Sequence, residues 1–232
     1  MQITLKIKRQ NPEEKPEPWW AEYEVEAEPT DRLLDALNHV KWFQDGSLTY
    51  RRSCAHGVCG SDAMRINGAN HLACKVLLKN LGKKITVEPL PGLRVIKDLL
   101  VDMDRFFDLY RGVKPYFTSY SAPPEGERLQ SPTERERFDD TTKCILCAAC
   151  TSSCPSYWAN PEYVGPAAIV NAHRFIFDSR DEGGDERLDI LGARDGVWRC
   201  RTIFNCVEAC PRGIQVTRAI SEVKNVLMSR KI

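Results

Sequence analysis

The chain has 232 residues, of which 42% are hydrophobic and 28% are charged, so it can bury a core and remain soluble. Its 33 Lys and Arg residues and 32 Asp and Glu residues give a net charge of +1, which argues against a nucleic-acid-binding protein, because such proteins carry a clear basic excess. The sequence has no apolar run of about 18 residues, and its first residues lack the apolar core of a signal peptide. We therefore expect neither a membrane-spanning helix nor secretion through a signal peptide.

The N-terminal part of the chain has the pattern of a small sheet with one helix. Apolar and polar residues alternate over 3–8 and again over 21–28, as in half-buried strands, and the charged connection 11–16 predicts a hairpin between them. Thr30 is the expected N-cap of a helix whose apolar stripe consists of Leu33, Leu34, Leu37 and Val40. A further alternating segment at 84–90 would complete a mixed sheet across this helix.

After Gly92 the pattern becomes helical. The stretch 121–132 carries three prolines, which is typical of an exposed connection, and 167–177 has helical spacing. Apolar residues also recur at helical spacing in two further segments, one with Leu99, Leu100, Met103, Phe106, Phe107 and Tyr110, and a last one with Val216, Ile220, Val223 and Leu227. The sequence therefore predicts an α+β protein with a β-rich domain at 1–100 and an all-helical domain at 101–232.

Ten cysteines are the exception to this ordinary composition, and they fall into three groups. The groups are Cys54, Cys59 and Cys74; then Cys144, Cys147, Cys150 and Cys154; then Cys200, Cys206 and Cys210. In a chain without a signal peptide such groups indicate metal ligation, because cytosolic thiols stay reduced and rarely form structural disulfides.

The first group has the spacing of a plant-type [2Fe–2S] loop. Cys54 and Cys59 are followed by Asp62, at the position of a third cysteine, and later by Cys74. The glycines of this loop allow the backbone to bend around a cluster and to turn amides toward its sulfurs. We expect these three cysteines and Asp62 to ligate a [2Fe–2S] cluster, since a carboxylate can also bind iron. A zinc site with Asp62 as a surface acid is disfavoured by the spacing of the cysteines.

The second group, Cys144-x2-Cys147-x2-Cys150-x3-Cys154-Pro155, has the complete bacterial ferredoxin pattern. It is the most specific signal in the chain. In proteins with two such runs, the fourth cysteine of each run ligates the cluster of the other run. A run of related spacing follows later in the sequence.

The third group is that run, with one ligand missing. Ile203 stands where the second cysteine would be, between Cys200 and Cys206, and Cys210 precedes Pro211. Exchange of the fourth cysteines predicts a [4Fe–4S] site made of Cys144, Cys147, Cys150 and Cys210. It leaves a three-thiolate site, suited to a [3Fe–4S] cluster, made of Cys154, Cys200 and Cys206. Ile203 is the expected determinant of the cluster type, because isoleucine cannot bind a fourth iron. The alternative is a second [4Fe–4S] cluster with water on its fourth iron.

Three redox centres of different type in one chain indicate a path for electrons. The sequence contains no glycine-rich phosphate loop, dinucleotide fingerprint or Ser/His/Asp arrangement. We therefore expect the chain to carry electrons, and another subunit to perform the substrate chemistry. Two zinc ribbons are the structural alternative, and they are disfavoured because neither ligand set has zinc spacing.

Over nearly the whole chain these motifs resemble the iron–sulfur subunit of succinate dehydrogenase. The resemblance rests on the loop 53–62, the run 144–155, the broken third run and Pro161-x3-Gly165-Pro166. It implies an N-terminal β-grasp, [2Fe–2S] ferredoxin-like domain followed by a helical, bacterial-ferredoxin-like domain. It also implies two partners, a flavoprotein that holds FAD and oxidises succinate, and a membrane anchor, with or without haem, at which quinone binds. The iron–sulfur subunit of fumarate reductase shares most of these motifs, and a free-standing soluble ferredoxin is an alternative of another class.

The resemblance also implies a quinone site and a location. The resemblance carries over Pro155, Ser156 and Trp158, which follow the cluster ligand Cys154, as quinone-binding residues, and packing against the anchor is the alternative for Trp158. Arg201, next to Cys200, is a further candidate because it can donate hydrogen bonds to a quinone oxygen, or instead to a haem propionate or a neighbouring acid. Many ubiquinone-linked members of the family have Trp where this chain has Ala159, and His where it has Arg201, which favours menaquinone here. The family resemblance places the protein in the respiratory chain and the tricarboxylic acid cycle. There the anchor would hold it at the cytoplasmic face of the bacterial inner membrane.

Overall fold

The computed structural model describes residues 1–230. By their internal contacts these residues form two compact units, one made of Met1–Met103 with Ile145–Ser153, and one made of Asp104–Cys144 with the residues from Cys154 onward. The first unit is built on a sheet and the second on helices, so the predicted α+β class is confirmed. The segment Ile145–Ser153, which carries part of the second cysteine group, belongs to the β-rich unit. The domain limits 1–100 and 101–232 stay predictions.

The β-rich unit is a five-stranded mixed sheet with one long helix. The strands and the helix are β1 (Gln2–Asn11), β2 (Lys15–Glu26), α1 (Leu33–Phe43), β3 (Ala63–Ile66), β4 (Ala69–Leu72) and β5 (Lys84–Glu88). The strand order is β2-β1-β5-β3-β4, in which β1 and β5 are parallel and the other neighbours are antiparallel. A separate two-stranded sheet pairs β6 (Val95–Lys97) with β7 (Leu100–Val101).

The alternation in the sequence explains the core of this unit. Strand β1 turns one face inward, so that Ile3, Leu5 and Ile7 are at most 1% exposed. The apolar stripe of α1 is buried in the same core. Strands β1 and β2 pair from Gln2 opposite Glu26 to Asn11 opposite Lys15, so the predicted hairpin is confirmed.

The start of α1 differs from the prediction. The helix begins at Leu33 with Arg32 as its N-cap, so the assignment of Thr30 as N-cap is wrong. The backbone at the start of the helix pairs instead with a distant segment, since Arg32 forms an antiparallel bridge with Leu77 and the Leu33 N–H donates to the Val76 carbonyl at 3.0 Å. These tertiary hydrogen bonds keep Thr30 outside the helix.

The helical unit contains most of the remaining helices. In chain order they are α2 (Asp104–Gly112), α3 (Pro132–Asp139), α4 (Ala149–Ser152), α5 (Pro155–Ala159), α6 (Gly165–Ile176), α7 (Gly184–Gly192), α8 (Asn205–Glu208) and α9 (Val216–Ser229), of which α4 belongs to the β-rich unit. Short 3-10 helices lie at Leu78–Asn80, Asp140–Lys143 and Val197–Arg199. Within residues 104–230 no strand is assigned.

Helix α6 forms the centre of the helical unit, where it packs against α2, α3, α7 and α9. The predicted apolar face of α9 is buried at Val216, Ile220, Val223 and Leu227. The helix predicted around Leu99 and Leu100 is wrong in its first part, because Leu100–Val101 pairs with β6 and α2 begins only at Asp104. A carboxylate at that position favours helix initiation, since it faces the positive end of the helix dipole.

Candidate iron–sulfur sites

The loop between α1 and β3 directs backbone amides at two cysteine sulfurs. The N–H groups of His56, Val58 and Cys59 donate to Cys54 Sγ at 3.5, 3.4 and 3.3 Å. These bonds lower the pKa of the Cys54 thiol to about 6. Cys59 Sγ accepts the Cys54 N–H at 3.5 Å and lies 3.2 Å from Ser61 Oγ. The loop therefore stabilises thiolates, which are the form in which cysteine binds a metal.

Asp62 and Cys74, the other two predicted ligands, are buried beside each other, with 2% and 1% exposure. Asp62 Oδ2 accepts the Cys74 N–H at 2.6 Å. Asp62 Oδ1 is also buried, and no described residue donates a hydrogen bond to it. Burial, reinforced by the Asp62 carboxylate, raises the pKa of the Cys74 thiol to about 12, whereas the Gly57 N–H acts in the opposite direction. A buried unpaired acceptor costs about 1–3 kcal/mol, and an iron ion would satisfy it, so this donor set fits a [2Fe–2S] cluster.

The loop of the first cysteine group lies directly against the segment that carries Cys147. Gly60 has a φ of +70°, and a Cβ atom at this position would lie 2.7 Å from Cys147 Cβ and 3.1 Å from the Ile145 carbonyl oxygen. Both residues belong to the β-rich unit. The Asn70 side-chain amide also donates to the carbonyl of Ala149, the first residue of α4, at 3.0 Å in a buried contact. At position 60, only glycine permits both the left-handed backbone and the close approach to Cys147.

We therefore expect Gly60→Ala to lower the stability of the β-rich unit and its cluster content. The added methyl group would have to displace Cys147, and overpacking of this kind costs about 1–3 kcal/mol. Gly68→Ala is the matched control, because Gly68 also has positive φ, at +86°, but a Cβ there meets nothing within 4 Å. Thermal unfolding and iron content would be measured for both variants. Equal losses in the two variants would mean that the contact with Cys147 has no importance of its own.

The second and third cysteine groups have the same backbone conformation. Each group begins with an extended cysteine directly after a 3-10 helix. Cys144 has φ −63° and ψ 127°, and Cys200 has φ −68° and ψ 123°. In each group the residues two and four positions later are left-handed, at Leu146 and Ala148 in the second group and Thr202 and Phe204 in the third. A four-residue helix, α4 or α8, begins directly afterwards. Ile203 therefore occupies the place in its group that Cys147 occupies in the second.

The cysteines predicted to bind the [4Fe–4S] cluster are drawn from both units. Cys147 and Cys150 belong to the β-rich unit, and Cys144 and Cys210 belong to the helical unit. All four are of intermediate exposure. Their grouping around one cluster stays a prediction from the spacing.

A small cavity in the helical unit brings together the three cysteines predicted for the third site. Cys154, Cys200 and Cys206 line it, and so does Ile203, at the position of the missing ligand. Burial raises the pKa of the Cys154 and Cys206 thiols. The donor set of this cavity is thus three thiols, with an apolar side chain at the fourth position.

Three of the four residues predicted to bind quinone, Pro155, Ser156 and Arg201, line the same cavity. Trp158, on α5, is 49% exposed and is not part of the lining. Ile203 and its neighbour Phe204 are also about half exposed, at 48% and 53%. The cavity therefore opens at a surface that carries large apolar side chains.

Two polar residues outside the cysteine groups also contact cysteine sulfurs, and no sequence pattern indicates either of them. The Asn171 amide on α6 donates to Cys144 Sγ at 3.4 Å, and Thr217 Oγ1 on α9 lies 3.6 Å from Cys206 Sγ. Both contacts join residues that are far apart in the sequence. Spacing patterns identify ligands, but they do not identify such partners.

The described residues contain neither a membrane-spanning helix nor a site for a single metal ion. No helix within residues 1–230 has the length and apolar character needed to cross a membrane. The same residues contain no group of three or more His, Cys, Asp or Glu side chains arranged to hold a single metal ion.

Comparison with known proteins supports the division into two kinds of cluster-binding region. A family described as a 2Fe-2S iron-sulfur cluster binding domain matches residues 4–108, and one described as a 4Fe-4S dicluster domain matches residues 137–211. The succinate dehydrogenase iron-sulfur subunit of Coxiella burnetii is 44% identical over 229 residues, which is 97% of each chain. The mitochondrial succinate dehydrogenase [ubiquinone] iron-sulfur subunit 1 of Oryza sativa subsp. japonica is 46% identical over 197 residues, covering 84% of this chain and 70% of that protein.

One solved structure has the same fold over nearly the full length. A chain of the Mycobacterium smegmatis Sdh1 complex in the apo form superposes with a TM-score of 0.91 and 24% identity. The superposition covers 99% of this chain and 97% of that one. At this identity the likeness concerns the fold alone.

Proposed function

This chain belongs to the family of succinate dehydrogenase iron–sulfur subunits, and from that premise we propose that it carries electrons from a flavoprotein to a quinone. When bound, three iron–sulfur clusters would accept and release single electrons in series. The succinate chemistry would belong to an FAD-containing partner chain, as the family resemblance implies. The residues of this chain hold the clusters, and their hydrogen bonds to the sulfurs set the cluster potentials.

The observation that carries the proposal is the repeated backbone of the second and third cysteine groups. Both groups have left-handed residues at the same two positions, and a four-residue helix follows directly in each. This backbone can wrap around a cluster. Only the third group has an apolar residue, Ile203, at the second position. We infer a [4Fe–4S] cluster on Cys144, Cys147, Cys150 and Cys210. We infer a [3Fe–4S] cluster on the three cysteines of the helical-unit cavity, since isoleucine cannot hold a fourth iron.

The order of electron transfer follows from these assignments. Electrons would enter at the [2Fe–2S] site of Cys54, Cys59, Asp62 and Cys74 and leave from the cavity that Cys154 lines. The close contact between Gly60 and Cys147 supports this order, because it joins the first ligand loop to the second within one unit. Quinone would approach the cavity between Pro155, Ser156 and Arg201, with Trp158 at its exposed border.

A membrane anchor, with or without haem, is the second partner that we propose. Its support is three large apolar side chains that are about half exposed, namely Ile203 and Phe204 in the cavity lining and Trp158 on α5. Held by such an anchor, the protein would lie at the cytoplasmic face of the bacterial inner membrane.

Electron paramagnetic resonance of the intact complex tests the cluster assignment. We expect one signal from an oxidised [3Fe–4S] cluster and two signals that appear on stepwise reduction, from the [4Fe–4S] and [2Fe–2S] clusters. Non-haem iron and acid-labile sulfide should be present in a ratio of about nine to ten, as the three cluster formulas require, whereas a zinc protein would contain neither. A complex without the oxidised signal would contradict the assignment of the third site.

Two other functions fit the same clusters and are separated by preparation and assay. A quinol:fumarate reductase would reduce fumarate faster than it oxidises succinate when each assay uses a matched quinone. A free-standing ferredoxin would be recovered as a soluble, cluster-bearing monomer without a flavoprotein. We expect instead a membrane-attached complex in which succinate oxidation is the faster reaction.

We propose menaquinone as the electron acceptor. The support is the smaller Ala159 and the charged Arg201, which replace the Trp and His of many ubiquinone-linked members of the family; the relative in Oryza sativa bears ubiquinone in its name. Steady-state assays with analogues of both quinones would show the lower KM for the menaquinone analogue. Arg201→Ala should raise the quinone KM by about tenfold, because a hydrogen bond from a charged donor contributes about 1.5–3 kcal/mol. The KM for succinate is the internal control, and a preference for ubiquinone would contradict the proposal.

A further inference from the structure

Two helices of the helical unit each direct one polar side chain at a predicted cluster ligand. Thr217 lies in the first turn of α9 and contacts Cys206, and Asn171 lies in the middle of α6 and contacts Cys144. Neither residue belongs to a cysteine group. The two cysteines belong to two different clusters in the assignment proposed above.

The contact of Thr217 lies inside the protein. Its Oγ1 is 3.6 Å from Cys206 Sγ, and the two residues are only 5% and 8% exposed. Thr217 also lines the small cavity that Cys154 and Cys200 line. When Cys206 is a thiolate it has no proton to give, so the Thr217 hydroxyl must be the donor.

The contact of Asn171 has a fixed orientation. Its Nδ2 donates to Cys144 Sγ at 3.4 Å and to the Ala167 carbonyl at 2.8 Å. A side-chain amide has two N–H donors, and both partners here are acceptors, so the nitrogen must face them. The bond to Ala167, one turn earlier in α6, holds the second N–H on the sulfur.

A hydrogen bond to a ligand sulfur favours the reduced cluster, because reduction adds negative charge that the donor stabilises. Removal of one donor should therefore lower the reduction potential of the cluster that it contacts. It should leave the other cluster unchanged, because each donor reaches the ligand of only one cluster.

We propose that Thr217 and Asn171 are positioning residues that separately raise the reduction potentials of two clusters, Thr217 that of the three-iron cluster and Asn171 that of the four-iron cluster. This inference rests on the proposed function, since it assumes that Cys206 and Cys144 are cluster ligands. It adds two residues that no spacing pattern includes. Substitutions at these two residues would therefore change the difference between the reduction potentials of the two clusters without any change in the cysteine groups.

The test is a redox titration of the intact complex, followed by electron paramagnetic resonance, in which each cluster has its own signal. Thr217→Val removes the hydroxyl, and we expect a lower midpoint potential for the three-iron cluster alone. Thr217→Ser keeps the hydroxyl and is the matched control, with a potential close to that of the unsubstituted complex. Asn171→Leu should lower the midpoint potential of the four-iron cluster alone.

Each outcome decides the matter. The inference would be overturned if the three-iron potential is unchanged in Thr217→Val, or if the Val and Ser variants show equal shifts. It would also be overturned if Thr217→Val or Asn171→Leu shifts the potentials of both clusters. If Thr217→Val fails to assemble, Thr217→Ala removes the same hydroxyl without adding a methyl group, and the same comparison with Ser applies. The unsubstituted complex is titrated first, and absence of its three signals would refute the proposed function instead.

Discussion

The Ile203→Cys variant is expected to hold a [4Fe–4S] cluster at the third site and to reduce quinone more slowly. Ile203 lines the cavity together with the three cysteines, and its backbone has the place that Cys147 has in the second group. A thiol introduced there would point at the vacant corner of the cluster. The side chain is 48% exposed, so its replacement removes little buried apolar contact.

The slower reduction of quinone follows from the change of cluster type. The variant exchanges a three-iron core for a four-iron core, and because reduction potentials depend on the type of cluster, we expect a lower potential at this site. A fall of about 120 mV in the potential would disfavour the reduced cluster by about a hundredfold, since about 59 mV corresponds to a factor of ten for one electron.

Resonance spectra, iron content and succinate:quinone turnover would be compared with those of Ile203→Val, which keeps an apolar side chain and should keep three irons. A Cys variant that retains the three-iron signal and the full turnover would contradict the role of Ile203. Four irons at this site in the unsubstituted protein would contradict it as well.

Substitution of Asp62 is expected to separate iron ligation from a purely structural role. Asp62→Cys should keep the [2Fe–2S] cluster with a changed potential and spectrum, because a thiolate is a softer donor than a carboxylate. Asp62→Asn has nearly the same shape and can still accept the Cys74 N–H, but it carries no charge. We expect this variant to lose most of its [2Fe–2S] signal.

The reason lies in the two oxygens of Asp62. Oδ2 is occupied by the Cys74 N–H at 2.6 Å, whereas Oδ1 is buried and has no donor among the described residues. A structural role needs only Oδ2, which Asn can replace. The [2Fe–2S] signal and its midpoint potential would be measured in both variants. If Asp62→Asn retains both unchanged, Asp62 orders the Cys74 backbone and does not bind iron.

Much of this protein could be predicted because its patterns are local. The alternation of Ile3, Leu5 and Ile7 predicts β1 correctly, since one face of a strand is buried at every second residue. The cysteine spacings predict the ligand groups, because neighbouring ligands must lie on one turn of chain around a cluster. The start of α1 could not be predicted in this way. Thr30 is a good N-cap by residue type, but hydrogen bonds to the segment around Val76 hold it outside the helix.

The left-handed residues show the same limit. Glycines such as Gly57 and Gly60 indicate positive φ directly, whereas Leu146, Ala148, Thr202 and Phe204 adopt it without any signal of residue type. Side chains that carry a Cβ disfavour this conformation by roughly 1–2 kcal/mol each. Contacts made by the folded chain must therefore supply the difference, and a local pattern does not contain them.

The sequence by itself determined the three cysteine groups, the break in the third group and the family, because each depends on residue types at short separations. Only the tertiary structure decided that Ile145–Ser153 joins the β-rich unit, that Gly60 lies against Cys147, and that Thr217 and Asn171 reach cysteine sulfurs. These contacts depend on how distant elements pack, and many residue types satisfy packing equally well. The hydrogen bond from Asn171 to Cys144 corresponds to no periodic pattern in the sequence, although it acts directly on a predicted ligand.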